Sequence, residues 1–294
     1  RDGALTRMPT REGIAAAAQL ACLLEASAPK PGNVSPGVSF HDTRYEDFLA
    51  SAAAIAPAFL DVGRQSLGDT IRRAIEDTRA WTSANTNLGI VLLLAPLAHA
   101  ALEPSPKSLR ERVRRVLAST TVDDAAAVYA AIRIARPGGL GDVEREDVAA
   151  SPTVTLTQAM ELAAERDDVA REYTAAFERT FTIGAPALSK ARTAGLDWSD
   201  AVIECYLSLL ASAPDTLIAR KLGPDAALEI MQQAAAVLAA GGVRSNAGRR
   251  AMASFDLHLR DLRNTRNPGT TADITAAATY VVLLSGGRQG GWER

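Results

Sequence analysis

With 294 residues, 47% of them hydrophobic and 22% charged, the chain has an ordinary globular composition, which excludes intrinsic disorder. A formal net charge of -2 supplies no global basic field, so any phosphate contact must be local, and neither nucleic acid nor an anionic membrane is an expected partner. The two cysteines, Cys22 and Cys205, fall within apolar helical patterns and read as reduced thiols, and no Cys or His has a second ligand at zinc spacing.

Aromatic residues are only 5%, while alanine and leucine recur three and four positions apart, which favours helices over sheets. In chain order the periodicity predicts helices over residues 11–27, 44–62, 67–83, 87–102, 121–136, 169–182, 198–213, 224–240, 247–260 and 271–285. The apolar stretch from Ile90 to Leu102 contains Pro96 and His99 and is shorter than the roughly 20 residues a bilayer demands. Nothing near the N-terminus has the pattern of a signal peptide, so the expected location is the cytoplasm. Residues 103–115 read as a solvated helix or loop, and Thr153-Val154-Thr155-Leu156 is the only strand candidate. Thr121 and Asp124 form a capping-box start, and Pro137-Gly138-Gly139 stops that helix. Pro224 suits a first helical position. No repeat and no long linker divides the chain. The expectation is an all-α, single-domain helical bundle of roughly ten or more helices over residues 1–294.

Polar loops between these helices carry residues that plain turns do not require. Ala28-Pro29-Lys30-Pro31-Gly32-Asn33 holds Lys30 at a defined angle between two prolines, although a rigid connector explains it equally. His41-Asp42 precedes a helix, where a loop histidine is usually just exposed. Asn85-Thr86-Asn87-Leu88-Gly89 opens a very apolar helix; Thr86 or Asn87 can cap it, and the free N–H groups there suit a phosphate or a ribose hydroxyl. The run from Gly138 to Asp142 permits close backbone approach, but matches neither a Walker A loop nor a dinucleotide fingerprint. Asp215 with Arg220 and Lys221 sets an acid and two bases around one short turn. Asn267-Pro268-Gly269-Thr270-Thr271-Ala272-Asp273 places a threonine cap and an acid at a helix start, where Mg²⁺ could bridge Asp273 and a phosphate. A plain capping box is the competing explanation.

Taken in order, these segments resemble the triphosphoribosyl-dephospho-CoA synthase family. The likeness runs from about Glu25 to Thr279, and its most specific parts are Pro29-Lys30-Pro31-Gly32 and the run from Pro268 to Asp273. The resemblance implies an all-helical transferase that moves the triphosphoribosyl group of ATP to the 2′-hydroxyl of 3′-dephospho-CoA and releases adenine. Asn87-Leu88 stands where the family usually has His-Lys, and Thr270-Thr271 where it usually has Gly-Ser, which marks a divergent branch and leaves the acceptor open.

By charge type, Lys30, Arg220 and Lys221 are then expected to hold phosphates, and Asp273 with Asp215 or Asp42 to bind Mg²⁺. Glu25 or Asp42 would stabilise the ribosyl cation or act as base, and Asn85 and Asn87 would orient hydroxyls. Asn33, Thr86, Asn267, Thr270 and Thr271 complete the expected ATP and substrate contacts. The expected partners are ATP and a dephospho-CoA-like acceptor, with homo-oligomerisation left open. Two other readings compete: a Mg²⁺-dependent hydrolase of ADP-ribose-like compounds, and a non-catalytic helical nucleotide-binding protein.

Overall fold

The computed structural model describes residues 9–137 and 146–286, and among these the regular secondary structure is helical. The helices are α1 (Arg11–Ser27), α2 (Tyr45–Ala54), α3 (Ala56–Leu60), α4 (Leu67–Arg79), α5 (Leu88–Leu102), α6 (Leu109–Ala118), α7 (Val122–Ala135) and α8 (Leu156–Ala163). They continue as α9 (Asp168–Thr174), α10 (Ala185–Thr193), α11 (Trp198–Leu210), α12 (Thr216–Leu222), α13 (Pro224–Ala239), α14 (Asn246–Leu259) and α15 (Gly269–Gly286).

Two of them are apolar on almost every side, the signature of a helix surrounded by protein. In α5 the residues from Ile90 to Ala98 are all buried. In α15 the buried set includes Ile274, Ala276, Ala277, Ala278 and Tyr280. These two pack together, α1 and α11 cover α15, and α4 and α6 flank α5. Small alanines allow the close approach, and a contiguous apolar core draws on helices from α1 to α15. Both cysteines are buried as free thiols in it.

Side-chain caps set most helix starts. Thr121 accepts from the Asp124 N–H while the Asp124 carboxylate accepts from Thr121 N at 2.9 Å, the capping box read from the sequence. Thr155 makes the same box with Gln158, which is why residues 153–156 lead into α8 instead of forming a strand. The expected 44–62 helix divides at Ile55, where Pro57 in the first turn of α3 withholds its N–H from a continuous ladder. The expected 169–182 helix breaks after Thr174 because Ala176 and Phe177 take φ of 48° and 57°. There the buried Glu172 carboxylate accepts from the N–H groups of Arg179 and Thr180, each at 3.0 Å, and starts a π-helical turn, Thr180–Gly184. Part of the 103–115 stretch, read as a solvated helix or loop, forms α6, and the short turn after Asp215 is α12, whereas the short helices α8 and α10 had no counterpart in the sequence reading.

The segment Pro224–Arg244 is long and apolar enough to cross a membrane by length and composition alone, an exception the sequence reading passed over. In the fold its stripe of Ala227, Ile230, Ala234 and Val237 is buried as α13 packs on α11 and α14.

Candidate active site

One large cavity, about 1140 Å³, opens where the C-terminal end of α1, the starts of α5 and α15, and the end of α12 meet. Its polar wall holds most of the residues singled out in the sequence. Glu25 and Asn33 contribute from α1 and the loop after it, and Asn85, Thr86 and Asn87 from the start of α5. Arg220 and Lys221 come from α12, Asn267, Thr270 and Asp273 from the start of α15, and Asp42 from the loop before α2. Segments distant in sequence therefore converge, as the expected pocket required.

Three predicted residues do not face this cavity, and the reason is the same for each: their polar atoms are already used. Lys30 is 1% exposed, and its Nζ donates to Glu25 Oε1 at 2.9 Å, to the Glu25 carbonyl, and to the Ala28 carbonyl at 3.3 Å. With three donors and three acceptors it has none left for a phosphate. Its effect is instead to fix and neutralise the Glu25 carboxylate beside the cavity.

Asp215 is fully buried. Its Oδ1 accepts from the Leu217 and Ile218 N–H groups at 2.9 and 3.2 Å, and its Oδ2 accepts from Thr271 N and Thr271 Oγ1, both at 2.8 Å. One carboxylate thus caps α12 and α15 together, and neither it nor Thr271 is placed to bind a metal or substrate. Desolvation pushes its carboxyl above the usual range even with those four donors. Asp215→Ala is expected to cost about 2 kcal/mol or more in urea denaturation, since it orphans donors at two helix starts; an unchanged midpoint would refute the capping role.

The start of α5 also differs in detail from the expectation. Asn87 stands at the N-cap without a side-chain cap bond, and Asn85 Oδ1 accepts from Leu88 N at 3.3 Å in its place. Thr86 is held by the Ser51 hydroxyl, and Asn87 Nδ2 donates to Thr78 Oγ1 at 3.0 Å. Asn33 is likewise engaged, donating to the Tyr206 hydroxyl at 3.0 Å. These contacts pin the cavity floor to α2, α4 and α11. The carbonyl oxygen of the Asn267 side chain is buried without a hydrogen-bond partner, an acceptor left for a ligand at the α15 start. His41 and Asp42 lie on the exposed rim, their side chains 3.6 Å apart. The Gly138–Asp142 loop lies outside the described residues.

Asp273 is the most unusual group. It makes no hydrogen bond or ion pair among the described residues, and its carboxylate rests against Gly89, where any Cβ would overlap it. Desolvation first, then the charges of Glu25, Asp167 and Asp215, push its carboxyl well above the usual range; Arg220 offsets this in part. A cation would remove that conflict. Among the described residues no three His, Cys, Asp or Glu side chains gather as a metal cage. A Mg²⁺ ion would fit here only as the usual nucleotide-borne ion, with one or two carboxylates and phosphate oxygens as ligands. Asp273 is the fitting carboxylate; Asp215 is not. The hydrolase reading, which needs clustered acids, finds no such cluster among the described residues.

Sequence reading missed several cations on the same wall. Arg79, Arg136, Arg166 and Arg263 all line the cavity. Arg220 donates to Asp167 Oδ2 at 3.0 Å and to the Arg166 carbonyl at 2.9 Å. The guanidinium groups of Arg136, Arg166 and Arg263 and the Lys221 ammonium make no hydrogen bond or ion pair among the described residues, although the Asp215, Asp42 and Asp261 carboxylates act on Lys221 electrostatically. Three of these arginines follow or close a helix, a position ordinarily explained by the helix dipole, so no sequence signal set them apart.

The chain matches the CitG family model, described as ATP:dephospho-CoA triphosphoribosyl transferase, over residues 11–291. A protein of Stutzerimonas stutzeri (strain A1501), named a probable 2-(5''-triphosphoribosyl)-3'-dephosphocoenzyme-A synthase, is 27% identical over 274 residues, covering 88% of this chain and 86% of that protein. A Pseudomonas putida protein of the same name is 36% identical over 98 residues, and the matched part spans 33% of this chain and 34% of that one. A crystal structure from Archaeoglobus fulgidus, titled as that of a putative triphosphoribosyl-dephospho-CoA synthase, superposes with a TM-score of 0.64 at 30% identity, covering 82% of this chain and 100% of that one. Fold, cavity and family match coincide over nearly the whole length, and the chain belongs to the ATP:dephospho-CoA triphosphoribosyl transferase family.

Proposed function

We propose that this protein transfers the triphosphoribosyl group of ATP to a hydroxyl of a dephospho-CoA-type acceptor and releases adenine. The observation that carries the reading is the cavity itself: cations and an acid without hydrogen-bond or ion-pair partners among the described residues, an ion-paired buried acid and an apolar set on α7 and α8 line it together. Its volume lies just above the range of about 300–1,000 Å³ usual for a single small ligand, which favours two substrates side by side.

In the reaction the bond between ribose C1′ and the adenine nitrogen breaks, with the electron pair leaving on adenine. The acceptor hydroxyl oxygen forms the new bond to C1′ and gives up its proton. Glu25 suits the proton-accepting and cation-stabilising role better than Asp42, because it is buried at the cavity and held in place by Lys30, whereas Asp42 is exposed. Lys221 and Arg263 are placed to hold the triphosphate, with Arg220 already oriented by Asp167. Asp273 would hold Mg²⁺ with the phosphates, and the ion when bound supplies charge neutralisation there. Asn267 offers its buried carbonyl oxygen to a ligand hydroxyl or amine.

The test is incubation with ATP, Mg²⁺ and 3′-dephospho-CoA, with chromatographic detection of free adenine. Acceptor-dependent adenine release supports the reading, and its absence with active, folded protein rejects it. Lys221→Ala and Arg166→Ala should each raise the KM for a phosphorylated substrate about 10-fold or more, the value of one lost charge-assisted contact. Unchanged kinetics in both would remove them from the phosphate site.

A further inference from the structure

The cavity lining includes an apolar set on α7 and α8 that the phosphate chemistry does not use. Helices α7 and α8 start at a common corner: Leu156 N donates to the Thr121 carbonyl at 3.1 Å, Thr120 Oγ1 to Thr157 Oγ1 at 2.9 Å, and Thr157 Oγ1 to the Leu117 carbonyl at 2.7 Å. From this tied corner both helices run onward, leaving a slot between them.

The slot is apolar on both sides. On α7 the lining residues Val128, Ile132 and Ala135 follow i, i+4, i+7 spacing. On α8, Leu156, Ala159, Met160 and Ala163 follow i, i+3, i+4, i+7 spacing. Each stripe is about 10 Å long at the helical rise per residue. Val128 and Leu156 are fully buried at the inner end, while Ala159 and Ala163 are half-buried. Polar side chains nearby are occupied: the Tyr129 hydroxyl donates to the Glu146 carbonyl at 2.9 Å, and the Glu146 carboxylate accepts from Thr153 N at 3.1 Å and from Thr153 Oγ1 at 2.5 Å. A phosphate or a bare sugar would find no polar partner on these stripes among the described residues, whereas a chain of methylenes would lose its contact with water. At the far ends of the same two helices stand Arg136, which caps α7, and Arg166, just beyond α8; both line the cavity, and neither guanidinium makes a hydrogen bond or ion pair among the described residues.

We propose that the α7–α8 slot holds the uncharged alkyl-amide arm of the acceptor, with the acceptor's diphosphate at Arg136 and Arg166. This deepens the transferase reading, on which the identity of the acceptor rests: dephospho-CoA joins a nucleoside, a diphosphate and a long uncharged arm in that order. The order matches a polar basin, a pair of cations and an apolar slot. It also gives a physical reason for the acceptor to stay in this class although Asn87-Leu88 replaces the family's usual His-Lys. The recognition lies on α7 and α8 instead of at the α5 start.

The probe is 4′-phosphopantetheine, which carries the arm and one phosphate but no nucleoside, so it cannot occupy an adenosine site. Calorimetry with the full chain should show that it binds and is displaced by dephospho-CoA but not by ATP. Ala159→Phe, which fills the slot, should weaken phosphopantetheine and dephospho-CoA about 10-fold or more while leaving ATP affinity within about twofold. Ala163→Leu, a smaller intrusion, should act in the same direction, and unchanged ATP binding in both variants reports an intact fold. No binding of the probe, displacement by ATP, or indifference of both variants overturns the proposal. If the probe behaves as stated but no adenine is released in the turnover assay, the slot stands and the transferase reading falls.

Discussion

Replacement of Asp273 by asparagine is expected to lower adenine release by about 10² to 10³ or more, the usual consequence of removing a preorganised charge from a reacting site. The same variant should melt at or above the wild-type temperature at neutral pH. The carboxyl is raised by desolvation and by Glu25, Asp167 and Asp215, so the folded state binds its proton more tightly than the unfolded chain does. For an acid shifted in this direction, stability is complete below the unfolded value near 4 and declines as pH rises toward the folded one. Asparagine cannot ionise and escapes that decline. The stability advantage of the variant should therefore appear above about pH 4 and vanish below it. Calorimetric scans across that range decide the matter. A variant that is less stable at neutral pH, or fully active, would show that Asp273 is an ordinary structural acid.

Lys30→Met should have the largest effect on stability, about 3–5 kcal/mol, because it leaves Glu25 buried with no counter-charge and strands the Glu25 and Ala28 carbonyls. A phosphate ligand, the role read for Lys30 from the sequence, would instead lose turnover with the fold intact, and the buried pair with Glu25 points to stability. The double variant Glu25→Leu/Lys30→Met distinguishes the two roles. Replacing both partners with apolar side chains should restore most of the stability, as it does for many buried pairs, yet leave no turnover because the acid is gone. Urea denaturation of the three proteins gives the answer. A Lys30→Met protein as stable as wild type would mean that the ammonium is not Glu25's counter-ion.

Much of the helical architecture was legible because its signals are local. Thr121 with Asp124, Pro224 and the alanine-leucine stripes each declare themselves within one or two turns. What escaped depended on partners distant in sequence. Asp215 looked like a ligand for a metal because nothing in its own neighbourhood shows that Thr271, 56 positions on, supplies two of its donors. Lys30 looked like a phosphate ligand because prolines on both sides suggest display, whereas the backbone turns the side chain back onto its own loop. The break after Thr174 hinges on Glu172 holding the Arg179 and Thr180 amides, which no propensity scale contains. Arg136 and Arg166 carry no motif at all; only the shape of the cavity singles them out.

The shared capping carboxylate has a mechanical corollary. Because Asp215 fastens the first turns of α12 and α15 to the same two oxygen atoms, Arg220 and Lys221 ride with Asp273 as a single rigid body. Any tightening of the protein around a bound nucleotide must then come from the other elements that line the cavity, where Arg79 ends α4 and Asp42 and Arg263 lie on loops, while the anvil of α12 and α15 stays fixed.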